Sequence, residues 1–126
     1  MVAYSFAPRF APLIRRGEKL QTIRAPRKRH AHAGESLQLF TGMRTRHCVK
    51  IIPDVVCLKV SPVVILFDAR GGIARIEVDH VEIGSRHDFA RADGFDDASD
   101  MAAFWADSYR ASDSFTGVLI QWGGVT

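Results

Sequence analysis

Residues Gly17-Glu18-Lys19-Leu20-Gln21-Thr22-Ile23-Arg24 form a G-x-K-x-x-T-x-R pattern. If Leu20 to Arg24 runs as a strand, successive side chains point to opposite faces. Leu20, Thr22 and Arg24 then share one face, and Gln21 and Ile23 the other. Lys19 stands at the mouth of the strand, where its long stem can curl over the Thr22 face. A cation, a hydroxyl and a guanidinium on one wall suit an anionic or carbonyl-bearing ligand. If that wall is catalytic, Thr22 attacks an acyl carbon and a desolvated Lys19 of lowered pKa takes its proton. Arg24, or a backbone N–H near Gly17, would then stabilise the oxyanion. Without its surroundings the same set describes a strand threonine and a turn lysine.

The elements on either side must position that wall. Val2 to Phe6 reads as an opening strand or extended arm. Pro8 and Pro12 bracket the start of a short helix whose apolar face is Phe10, Leu13 and Ile14, and Gly17 stops it in the manner of a left-handed C-terminal residue. Ala25 to Gly34 is a basic loop broken by proline and glycine. Ser36 to Thr41, Cys48 to Ile52, Val55 to Val60 and Pro62 to Phe67 are β-like runs, and Gly71-Gly72 turns a hairpin into Ile73 to Val78. His80 to Ile83 is either the end of that strand or a short one of its own. Ser85 caps a helix through Ala92, with Asp88 at the capping-box position and Gly94 closing it. Asp97 or Ser99 caps a second helix, with Met101, Phe104, Trp105 and Ser108 on one stripe. Phe115 to Trp122 closes the chain as a strand, with Thr116, Val118 and Ile120 on one face. The expectation is a single domain, residues 1–126, of the α+β class: a small mixed β-barrel with two or three short flanking helices.

The net charge of +3 conceals an asymmetry. Residues 1–50 hold 11 Lys or Arg against Glu18 and Glu35, whereas residues 51–126 hold 6 against 12 acids. The basic half favours a polyanionic partner. Arg27, Lys28, Arg29 and His30, with Arg44 and Arg46, can line a groove that contacts phosphates. Tyr4, Phe40 or Trp122 can stack an unpaired base, although barrel packing is the plainer role for Phe40 and Trp122. His30-x-His32 with His47 offers two or three imidazoles but no evident full ligand set, so no metal or other cofactor is expected. His80 and His87 read as surface or capping residues. Cys48 and Cys57 fit buried free thiols better than a disulfide framework. No run approaches the ~18 apolar residues of a membrane span and the N-terminus has no signal-peptide layout, so the cytoplasm is the expected compartment.

Three patterns in order carry a family resemblance: Gly17-x-Lys19-x-x-Thr22-x-Arg24, then Ala33-Gly34-Glu35-x-Leu37-x-Leu39, then Asp93-Gly94-Phe95 before Phe104-Trp105. Together they resemble the ASCH domain, from about Phe6 to Trp122. The resemblance implies a β-barrel like that of the RNA-binding PUA domain, and an action on RNA or nucleosides. One branch of the family removes acetate from N(4)-acetylcytidine with a lysine, a threonine and a glutamate; another is reported to cleave RNA. Carried over by motif, those roles fall on Lys19, Thr22 and Asp93, the last an aspartate where the amidohydrolases have glutamate. The family's usual Pro-Gly-Asp is Ala33-Gly34-Glu35 here. The resulting expectation is RNA or nucleotide binding in a cationic cleft. The alternatives are a hydrolase of modified nucleosides or RNA, and a module that docks an acidic protein.

Overall fold

The computed structural model describes residues 1–109 and 113–123, apart from the side chains of Ser108 and Tyr109. Among the described residues the chain forms eight strands in one sheet and three short helices, a mixed α+β arrangement. Strand β5 (Val55–Phe67) is its spine. Against it lie β8 (Ser114–Trp122), paired antiparallel from Cys57 to Leu66, β6 (Ile73–Val78) along the last part, and β3 (Ser36–Thr41) at Val55 and Val56. On the outer side of β3 runs β1 (Val2–Phe6), parallel to it, while β2 (Gln21–Arg24) pairs antiparallel with β8. Two short strands, β4 (Val49–Lys50) and β7 (Val81–Glu82), extend β3 and β6.

The strand series β2-β8-β5-β3-β1 leaves β1 and β2 at its two ends, and no ladder joins them among the described residues. Side chains span the interval instead. Arg24 Nη2 donates to the Ser5 carbonyl at 2.7 Å, and the Phe6 ring meets Trp122 edge-on at 6.1 Å. Inside, Leu37 and Leu39 of β3, Val63 and Ile65 of β5, Ile76 of β6 and Met101 form the centre of the core. Alternation holds in β3, as its sequence predicts. It fails in β2, where Gln21, Thr22 and Ile23 are all buried, and in the facing part of β8, where Leu119 and Ile120 both are. This part of the sheet is covered on both faces, so Thr116, Val118 and Ile120 do not share one environment: Thr116 is exposed and Ile120 is fully buried.

Two expectations about the strands need correction, and one open alternative is resolved. The runs either side of Ser61 are one strand, because β6 begins to pair only at Val63. Pro62 therefore needs no N–H on that side, and its carbonyl accepts from Asp79 N–H at 3.0 Å. The Cys48 to Ile52 run contributes only Val49 and Lys50 to the sheet, and Cys48 is exposed, while Cys57 is buried. His80 to Ile83 supplies a separate short strand after a turn in which Asp79 and His80 both have positive φ.

The helices start and stop where local chemistry dictates. Helix α1 (Ala11–Arg15) follows a 3-10 turn at Pro8–Phe10 and ends at Gly17, φ +74°. The Gly17 N–H bonds to the Ile14 carbonyl and the Glu18 N–H to Leu13, a Schellman ending. Helix α2 (Arg86–Ala92) is capped by Ser85, whose Oγ accepts from Asp88 N–H at 3.2 Å. It ends in the same way: Gly94, φ +97°, bonds to Arg91, and Phe95 N–H to Ala90. Helix α3 (Ala98–Tyr109) is capped by Asp97, not Ser99, through Asp100 N–H at 2.8 Å. Its buried stripe is Met101, Ala102 and Trp105; Phe104 is turned partly outward, and the side chain of Ser108 lies outside the described residues. No described helix is long and apolar enough to cross a membrane.

Candidate functional site

The two Schellman turns deliver the two central groups. Lys19 follows the first turn by two residues, and Asp93 is the C-cap residue of the second. Both are buried, at 2% and 4% exposure. Lys19 Nζ donates to the Asp93 carbonyl oxygen and stands 3.6 Å from Asp93 Oδ1. Its ammonium also lies over the Phe10 ring, 4.8 Å from the centroid, which supplies part of the stabilisation lost with water. Gly94 lets the two turns approach. A Cβ there would stand 2.8 Å from Lys19 Cδ and 3.0 Å from Phe10 Cδ1.

The motif's hydroxyl and guanidinium complete one wall. Arg24 Nε donates to Thr22 Oγ1 at 3.0 Å, and the Arg24 guanidinium stacks over Phe6 and Tyr4 at 4.7 and 5.2 Å. Lys19, Thr22, Arg24 and Asp93 line one cavity of about 230 Å³, walled by Phe6, Phe10, Phe95, Phe104 and Trp105. Phe10, Phe95 and Phe104 form a mutual cluster with centroids 5.2–5.6 Å apart. The aromatic walls and a few convergent polar groups are those of a small-molecule site, with a volume somewhat below the ~300–1,000 Å³ usual for one.

Burial dominates the electrostatics. It pushes the Lys19 ammonium below the ordinary lysine value; the Asp93 charge opposes this and the Arg24 charge adds to it. Burial likewise raises the Asp93 carboxyl, against the pull of Lys19 and the Gln21 hydrogen bond. Desolvation thus moves both partners toward their neutral forms. The half-buried Arg24 guanidinium is lowered to about 10 by desolvation and stays charged at neutral pH.

The structure divides the basic residues into those committed within the protein and those facing solvent. Arg27 stacks over Tyr4 at 4.5 Å and its Nε donates to the Arg29 carbonyl. Arg29 is ion-paired with Glu35 at 2.5 Å, and Glu35 also accepts from His32 N–H and meets the Met1 amine. These contacts hold the Glu35 carboxyl down at about 2. His30 stacks on Tyr4, with Nδ1 on the Tyr4 hydroxyl and Nε2 on the Ala25 carbonyl, so both ring nitrogens are occupied. Lys28, Arg44 and Arg46 are exposed and have no ion-pair partner among the described residues. The turn that carries Arg44 and Arg46 reaches the cavity side of β1, where Met43 N–H meets Ser5 Oγ at 3.4 Å. Tyr4 and Trp122 are buried and Phe40 is half-buried, whereas Phe104 of the cavity wall is exposed at its outer side. His87 caps α3 by accepting from Ala98 N–H.

Sequence reasoning brought out the motif but not Gln21, whose Nε2 donates to Asp93 Oδ1 at 3.4 Å. The alternation rule placed Gln21 on the face away from Thr22, and nothing local shows that α2 covers that side. No protein-family model, curated protein or solved structure matches the chain.

Proposed function

We propose that the cavity binds a nucleoside-sized, carbonyl-bearing ligand, free or within RNA, and that the sheet is the PUA-like barrel of an ASCH-type protein. The carrying observation is the meeting of Lys19, Thr22, Arg24 and Asp93 in one aromatic-walled cavity. Rings on several sides suit a planar heterocycle, and the cations suit its carbonyl oxygens or an attached phosphate. Lys28, Arg44 and Arg46 supply phosphate contacts outside the cavity. Isothermal titration of cytidine, N(4)-acetylcytidine and a short single-stranded RNA tests this. The expected result is binding by the wild type that weakens about tenfold or more in Lys19→Met, as loss of a charged hydrogen bond predicts. Failure of every probe to bind sinks the reading.

A hydrolase is the second reading, and it rests on Thr22. Its Oγ accepts from the Arg24 guanidinium, which leaves its own proton to be given up and stabilises the oxygen as charge develops. In this scheme Thr22 attacks the acyl carbon, Lys19 in its neutral form takes the proton, and Arg24 faces the tetrahedral oxyanion. The protonated Lys19 returns the proton to the leaving amine, and water then hydrolyses the acyl-threonine. Lys19 must first turn, since Nζ is engaged with Asp93 and no Thr22–Lys19 hydrogen bond exists among the described residues. Turnover of N(4)-acetylcytidine that vanishes in Thr22→Ala, with cytidine binding retained, is the expected outcome. Turnover that survives Thr22→Ala removes Thr22 as nucleophile.

A further inference from the structure

Asp93 lines the cavity, yet among the described residues both side-chain contacts to its carboxylate converge on one oxygen. Gln21 Nε2 lies 3.4 Å from Oδ1 and Lys19 Nζ 3.6 Å from the same atom. Oδ2 has no protein partner among the described residues. An ionised carboxylate can only accept, so the amide turned toward Oδ1 must present its NH₂ group. Gln21 is itself buried and fixed by the β2–β8 ladder, where it stands opposite Gln121. It reaches Asp93 from β2, Lys19 reaches it from the turn after α1, and Asp93 arrives on the end of α2. The other charges that act on this pair are those of Arg24, from β2, and Arg9, from the turn before α1.

We propose that Gln21 is a positioning residue: with Lys19 it anchors Asp93 Oδ1 and so leaves Oδ2 aimed at the ligand cavity as the site's acid or base. This deepens the ligand-site reading above and rests on it for the role of Oδ2. A rigid element carrying a hydrogen-bonding partner is what a reacting carboxylate needs to hold its orientation. Lys19 holds the carboxylate less closely: its hydrogen bond goes to the Asp93 backbone carbonyl, and Nζ stands 3.6 Å from Oδ1. The amide also adapts. It donates to the ionised carboxylate and, by rotating, accepts from the protonated acid, so Asp93 can change protonation without losing its neighbour.

The test is the titration of Asp93 in the ligand-free protein, followed by carboxyl carbon NMR in wild type, Gln21→Met and Gln21→Glu. Methionine has similar length and no donor, so the Asp93 midpoint is expected to rise by about one unit. Glutamate places a second carboxyl beside the first, so the two should titrate in separated steps, the upper one above the wild-type midpoint. Thermal melts of both variants confirm that the fold is kept. An Asp93 midpoint unchanged in folded Gln21→Met, or independent titration in Gln21→Glu, overturns the proposal. Because no ligand is present, a shifted midpoint in a protein that binds no nucleoside would refute the ligand-site reading and still establish the anchoring of Oδ1.

Discussion

The chain uses its cations in two different ways. Lys19 is taken out of water and Arg24 partly so, and both are held by aromatic rings, a carboxylate, a hydroxyl and backbone carbonyls. The loops of residues 25–34 and 42–47 keep theirs at the surface, where Arg29 is neutralised by Glu35 while Lys28, Arg44 and Arg46 face solvent. Equal charges thus carry very unequal energies. At the surface an ion pair contributes ~0–1 kcal/mol, whereas removing one member of a buried pair strands the other at a cost of ~3–5 kcal/mol. A basic half of the sequence is therefore not one electrostatic feature but a buried site and a solvated rim.

Changes in the buried site and on the rim would break or sharpen that contrast. Asp93→Ala leaves Lys19 buried without its counter-charge and should lower stability by about 3–5 kcal/mol in urea unfolding. The double variant Lys19→Met with Asp93→Leu should recover much of the loss, which a purely steric role for Asp93 would not allow. Gly94→Ala comes next, because φ +97° is costly for alanine and its Cβ meets Lys19 Cδ. The expected loss is about 2–3 kcal/mol by the same measurement, with weakened ligand binding as Lys19 is displaced.

On the rim, charge reversal at Lys28, Arg44 or Arg46 should weaken RNA binding and flatten its salt dependence by about one ion per site. Reversal at Arg29 should change affinity less, since its charge is already compensated by Glu35. Equal effects at Arg29 and Lys28, measured by fluorescence anisotropy across salt concentrations, would erase the distinction between tied and free cations. The smallest effect concerns Glu35. Its folded value of about 2 lies below the ordinary 4.5, so its contribution is complete above pH 4.5 and is lost as the pH falls toward 2. The protection factor of the His32 amide, whose N–H bonds to Glu35, should fall across that window; protection that persists to pH 2 would place its origin elsewhere.

How much of this could be read from the residues follows from the range of the forces involved. Gly17 and Gly94 as helix stops, Ser85 as a cap and the Leu37/Leu39 face are local matters, and the structure has each as the sequence predicts. Lys19 curling over the Thr22 face also follows from one strand and one turn. The depth of its burial does not, because the rings that cover it, Phe6 and Phe10, come from β1 and the turn before α1. Gln21 was hidden for the same reason, and Pro62 was misread because a strand's tolerance of proline depends on where its neighbour begins to pair. His30 has both ring nitrogens engaged, one of them by Tyr4, a residue 26 positions away that no local pattern connects to it.

Lys19 and Asp93 lie 74 positions apart in the chain, and that separation orders the assembly of the protein. Contacts so distant must await the closure of a long loop, whereas the α1 and α2 endings can form from local bonds alone. Each charge can thus remain hydrated on its own preformed turn until the other arrives, and neither has to be desolvated unpartnered. The pair is expected to form in the last step of folding; a φ-value near zero for Asp93→Asn, with the destabilisation expressed as faster unfolding, checks this, and a φ-value near one overturns it.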